Sequence, residues 1–101
     1  MGREWRQEHR EETYLIWRRW FLKKKFGLTP ELYEAMVERQ AGRCEVCGDP
    51  PGQRRLCVDH DHETGVVRAL LCGSCNRALG LLRDNPKRIH ALYEYMKAHA
   101  I

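Results

Sequence analysis

Four cysteines constrain this chain more than any other feature: Cys44-x-x-Cys47, then twenty-four residues, then Cys72-x-x-Cys75. A two-residue gap lets a tight turn aim both sulfurs at one point about 2.3 Å away, and two such pairs complete a tetrahedral thiolate site for Zn2+. Gly48 after the first pair and Gly73 inside the second favour turns that bring backbone amides toward sulfur. Redox pairs, disulfides and an Fe–S cluster are the competing readings. The N-terminus MGREWRQEHREET is charged and has no apolar stretch of the secretory kind, which points to a reducing cytoplasm, where metal binding is favoured over disulfides. With sulfur at all four positions no coordination site is left for water, so the ion is expected to be structural. Such a staple suits 101 residues, because a domain of that size buries only about 60–70% of its unfolded surface. Cys57, between Leu56 and Val58, reads as a small buried hydrophobe.

Charge is distributed unevenly. Residues 1–30 hold eight Lys and Arg against four Glu, a balance of +4 that equals the net charge of the whole chain. Residues 31–101 hold ten of each sign. The basic excess lies beside Trp5, Tyr14, Trp17, Trp20 and Phe21, so a polyanion such as nucleic acid is the natural partner of that segment. The alternative is a solvated helix whose Lys and Arg flank an apolar seam. No apolar run approaches the roughly 18 residues of a membrane span, and the 43% hydrophobic content is too high for a disordered chain.

Residues 4–25 contain no Gly or Pro, and Tyr14, Trp17 and Phe21 recur at helical spacing, which predicts a long amphipathic helix with its Trp side chains in the core. Gly27 supplies a left-handed stop, after which Thr29 caps a second helix with Pro30 at its first position. Leu32, Tyr33, Met36 and Val37 give that helix its buried face, and Gly42 releases the chain into a Gly- and Pro-rich loop. Short β-prone runs follow at Leu56–Val58 and Val66–Leu71, separated by a turn at Gly65. Helical character returns from Cys72 to Arg83, and Asn85-Pro86 opens a last helix with Ile89, Leu92, Tyr93 and Met96 on one buried stripe. The order helix, helix, knuckle, strand, strand, helix, helix predicts an α+β fold. We divide it into a basic aromatic helix at residues 1–28 and a zinc-bound domain at residues 29–101.

Between the knuckles lies Val58-Asp59-His60-Asp61-His62, and Asn76 directly follows the fourth cysteine. On a regular strand Asp59 and Asp61 face one side and His60 and His62 the other, though a bend near a strand end can bring Asp59, His60 and Asn76 together. A hard, oxygen-preferring cation such as Mg2+ uses one carboxylate and an amide carbonyl and keeps its other positions for water and phosphate oxygens. A neighbouring imidazole is suited to take a proton from water. Turn formation and support of the zinc ligands are the other reading of these residues, for Asp61 and Glu63 above all.

The stretch Gly42-Arg-Cys-Glu-Val-Cys-Gly, with Leu56-Cys-Val-Asp-His-Asp-His-Glu-Thr-Gly-Val-Val-Arg-Ala-Leu-Leu-Cys-Gly-Ser-Cys-Asn-Arg-Ala-Leu-Gly80, resembles the recombination endonuclease VII family of phage and bacterial HNH nucleases. The likeness runs over about residues 26–98. It implies a ββα-metal core, two strands and a helix around a catalytic Mg2+ or Mn2+, with the cysteines holding a separate zinc. Carried onto this sequence, it makes Asp59 and Asn76 ligands of the catalytic ion and His60 the general base. His62 would lie near the scissile or leaving phosphate, and Arg68 would contact phosphate. The implied activity is hydrolysis of DNA, double-stranded or branched, to 5′-phosphate and 3′-hydroxyl ends. Ala69 stands where the family commonly has Gly, and Leu79 where junction-resolving members can carry an acid. Those members dimerise through helices after the nuclease centre, so a homodimer of this chain would use its N-terminal helix. The rival from another class is a zinc-stapled DNA-binding adaptor without activity.

Overall fold

The structure, a computed structural model, describes residues 10–100. Trp5 and the expected helix start near residue 4 lie outside them. Helix α1 spans Arg10–Phe26 and stops where Gly27 takes φ +69°. Helix α2, Pro30–Arg39, begins as its sequence dictates: the Thr29 hydroxyl accepts a hydrogen bond from the Leu32 amide at 3.1 Å, and Pro30 loses nothing at a position whose N–H has no helical partner. After Ala41 and Gly42, both at positive φ, the chain enters the first knuckle.

Strands β1 (Cys57–His60) and β2 (Val67–Leu71) form a two-stranded antiparallel sheet. The turn between them is held by Asp61, whose Oδ1 accepts from the amides of Glu63 at 2.8 Å and Thr64 at 2.9 Å, and closes at Gly65 with φ +78°. Helix α3 (Gly73–Leu81) follows β2 at once, and α4 (Pro86–Ala98) is capped by Asn85, whose Oδ1 accepts from Lys87 and Arg88. The fold is α+β, as expected. No helix among the described residues is long and apolar enough to cross a membrane.

The core is small. Leu22 of α1, Tyr33 of α2, Cys44, Leu56, and Leu70 and Leu71 of β2 form one buried cluster, with Phe26, Met36, Val58, Cys72 and Leu79 packed around it. Leu79 thus packs against this core. The Tyr33 hydroxyl donates to the Leu56 carbonyl at 2.6 Å, satisfying a buried acceptor. Gln40 joins α2 to the sheet: its Oε1 accepts from the Leu70 amide and its Nε2 donates to the Leu70 carbonyl, both at 2.9 Å. A side-chain amide here does what a third strand would do for that residue.

Several expectations about burial fail. Trp17 and Trp20 are 51% and 56% exposed, because α1 meets the core through Arg18 and Leu22 instead. Arg18 is buried with its guanidinium 4.7 Å from the Tyr33 ring centroid, an arrangement in which a flat cation covers a π face. The stripe on α4 is likewise open, with Leu92, Tyr93 and Met96 49–72% exposed, since α4 makes no substantial contact with another element. Leu32 is also half exposed. Cys57 is only partly buried.

Candidate functional site

The four cysteine sulfurs all lie within 4.8 Å of one another, and Cys47 Sγ is 3.8 Å from Cys72 Sγ. A tetrahedron with ~2.3 Å zinc–sulfur bonds has edges of about 3.8 Å, so the quartet fits one such ion. The two knuckles are built differently. In the first, Gly48 at φ +76° lets its amide reach the Cys44 carbonyl at 3.0 Å, while the Val46 amide points at Cys44 Sγ at 3.4 Å. In the second, Cys72 is itself the N-cap of α3, and its sulfur accepts from the Cys75 amide at 3.5 Å. Gly73 therefore opens a helix and makes no left-handed turn.

The thiols do not ionise independently. Burial opposes ionisation of Cys44, yet the backbone amides of Cys47, Cys72 and Val46 draw it down to about 6. Cys75 is pushed up to about 12, first by burial and then by the neighbouring sulfurs of Cys72, Cys44 and Cys47. Negative charge gathered on one sulfur resists charge on the next, and a bound cation removes that conflict. The donor set is suited to zinc.

The second candidate centre depends on an irregularity in the sheet. Asp59 pairs with Ala69, but His60 pairs with Val67, so Arg68 is the extra residue of a β-bulge. From there Arg68 grips Asp59, with Nε donating to Oδ2 at 2.7 Å and Nη2 to Oδ1 at 3.0 Å. The same guanidinium makes a second two-point contact with Asp84, at 2.9 and 3.2 Å. Asp59 is buried, and Arg68 supplies its compensating charge. The Arg68 contact, the largest influence on Asp84, holds that carboxyl below the usual range.

Asp59, His60, His62 and Asn76 line one cavity of about 470 Å3. The His60 and His62 rings are 4.9 Å apart between centroids, as on one face of a strand, but the adjacent Asp59 lines the same cavity, so strict alternation is lost at the bulge. Asn76 comes from the first turn of α3, where its amide donates to the Cys72 carbonyl at 3.0 Å. Helix α1 contributes Trp17, Phe21, Lys25 and Phe26 to the same lining. Arg68 is not on the wall. Asp59 and Asn76 offer a carboxylate and an amide oxygen, the kind of sparse donor set that a heavily hydrated Mg2+ accepts. Among the described residues, the cysteines form the one cluster of three or more His, Cys, Asp or Glu ligand atoms close enough to share an ion.

Sequence reasoning did not find Asp84 or the bridging position of Arg68. Nothing local marks them, although Arg83 and Asp84 both adopt positive φ, an uncommon pairing of non-glycine residues that follows α3. It also missed Gln40, whose role exists only across thirty residues of chain.

Comparison with known proteins gives a consistent picture. Residues 19–98 match the family described as recombination endonuclease VII. The Gene 59 protein of Mycobacterium phage D29 is 46% identical over 74 residues, covering 71% of this chain and 45% of that protein. The Gene 59 protein of Mycobacterium phage L5 is 44% identical over 73 residues, covering 70% of this chain and 44% of that protein. The chain thus spans less than half the length of these curated relatives. No solved structure matches it.

Proposed function

The chain belongs to the recombination endonuclease VII family, and from that premise we propose that it is a metal-dependent HNH endonuclease that hydrolyses DNA phosphodiester bonds. One observation supports this reading above the others: the bulge at Asp59/His60 leaves a carboxylate, two imidazoles and the Asn76 amide on the wall of a single cavity. Residues 29–101 would form the nuclease unit, with the cysteine-bound zinc fixing its backbone. Residues 1–28 would grip the nucleic acid through their basic side chains, a contribution that falls as salt is added. With relatives encoded by phages, the place of action we propose is the cytoplasm of an infected bacterium.

In this reading Asp59 and Asn76 hold a Mg2+ or Mn2+ ion, which when bound supplies positive charge where the leaving 3′ oxygen becomes negative. His60 accepts the proton of the attacking water, whose oxygen attacks phosphorus in line as the bond from phosphorus to the 3′ oxygen breaks; the 3′ oxygen takes a proton from solvent, giving 5′-phosphate and 3′-hydroxyl ends. His62, beside His60, contacts the phosphate. Arg68 orients the Asp59 carboxylate by its two-point grip. Four of its five N–H groups are used on Asp59 and Asp84, and the fifth is the one open to a phosphate oxygen. For a homodimer, the exposed Leu15 and Ile16 of α1 offer an apolar contact.

The test is nicking of supercoiled plasmid with and without Mg2+. His60→Ala should slow cleavage by about 10²–10⁴-fold, the usual worth of a positioned base, while leaving the thermal melt unchanged. A variant that cuts at the native rate removes His60 from the mechanism. Native protein that binds DNA and never nicks it is the adaptor instead.

A further inference from the structure

Helix α1 carries a row of rings that the hydrolytic chemistry does not use. Tyr14 lies 6.2 Å from Trp17, Trp17 stacks on Phe21 at 5.0 Å with planes 16° apart, and Phe21 meets Phe26 edge-on at 6.1 Å. Phe26 in turn lies 5.4 Å from the His60 ring. The row therefore runs along one wall of the cavity and ends on the imidazole assigned as base. Lys25 holds its ammonium 5.4 Å from the Phe21 centroid and 5.6 Å from that of Phe26, and Arg18 and Arg55 line the same cavity.

Phe21 and Phe26 are half-buried, but Tyr14 and Trp17 are 44% and 51% exposed; large rings so open to water need a reason, and their neighbours supply one. Flat π faces take up nucleobases, and fixed cations beside them take up the sugar–phosphate backbone. A continuous duplex offers these rings nothing, because its bases are already stacked on one another. A strand with a free base offers both chemistries at once. The charge disfavours a second copy of the chain as occupant: Lys23, Lys24 and Lys25 fill the last turn of α1, so two copies of this face would bring surfaces of the same sign together.

We propose that Trp17, Phe21 and Phe26 form a stacking subsite for an unpaired base of the strand being cut, so that single-stranded DNA is preferred to continuous duplex. The cleavage preference rests on the nuclease reading; the binding does not. Two measurements on the zinc-loaded full chain keep these apart. One is fluorescence anisotropy of a labelled oligonucleotide without added Mg2+. The other is cleavage of that oligonucleotide, alone and annealed to its complement, with Mg2+ present.

Trp17→Ala should raise both the Kd and the KM for the single strand about 10-fold, the loss typical of one stacked base, with kcat and duplex binding unchanged. Trp17→Phe should restore most of the loss. Phe21→Leu keeps the apolar volume and removes the π face, so it should weaken single-strand binding without lowering the melting temperature. Trp20→Ala, on the same helix and outside the cavity, serves as control and should behave as wild type. The proposal is overturned if Trp17→Ala and Phe21→Leu bind the single strand normally, if they lose single-strand and duplex binding equally, or if their only effect is to dissociate a dimer seen by light scattering. Binding that falls as stated in a chain that cleaves neither substrate upholds the subsite and overturns the nuclease.

Discussion

Strand β2 and helix α4 are both written in apolar residues, yet Leu70 and Leu71 are 0% and 2% exposed while Met96 is 72% exposed. The presence of large apolar side chains does not separate them. Position relative to the knuckles does: β2 runs directly into Cys72, and the backbone carbonyl of its Leu70 accepts from the amide of Glu45 in the first knuckle at 3.2 Å. A metal clamp at the cysteines would fix backbone with few side chains, in keeping with a core that, among the described residues, comprises six buried hydrophobics. Nothing comparable draws α4 inward. Helical periodicity marks the side of a helix that shuns water, and says nothing about what covers it.

The contrast is broken most violently by removing zinc. Chelation, or Cys72→Ala, should abolish the cooperative thermal transition, since ion binding to sites of this kind is worth about 10–16 kcal/mol in small zinc-bound folds. Depleting Mg2+ alone should leave the melt in place. A chelated chain that melts like the loaded one would mean the cysteines are not the clamp. Next in size, Leu70→Ala should destabilise by about 2–5 kcal/mol in a urea titration, as buried leucine truncations do. Tyr33→Phe should cost about 1–3 kcal/mol, because it strands the buried Leu56 carbonyl without its donor. Smallest of all, Met96→Ala should stay within about 0.5 kcal/mol of wild type. A large loss there, measured on the same urea curve, would show that α4 is packed in solution and would erase the distinction between the two regions.

Local chemistry was legible in advance. The Thr29-Pro30 and Asn85-Pro86 helix starts, the left-handed stops at Gly27 and Gly42, and the turn at Gly65 each follow from one or two residues. So does the gathering of the four sulfurs, because the spacing of each pair already restricts its geometry. The companionship of Asp59, His60 and Asn76 in one cavity was suggested by resemblance, and by a strand bend whose position no residue announced. A bulge is a property of two strands in register, and Arg68 reads like any strand arginine until its partner strand is known. The Asp59–Arg68–Asp84 chain is invisible for the same reason. The exposure of Trp17 and Trp20 is not legible in the sequence, because an amphipathic pattern marks an apolar face without saying what covers it.

The unpaired position at Arg68 makes the sheet intolerant of small edits in chain length. Deleting that one residue would restore an unbroken ladder and at the same stroke remove the guanidinium that, among the described residues, neutralises the Asp59 carboxylate. Perfecting the hydrogen-bonding pattern of this hairpin would therefore ruin its electrostatics, and the imperfection is the part that a designer tidying the fold should leave untouched.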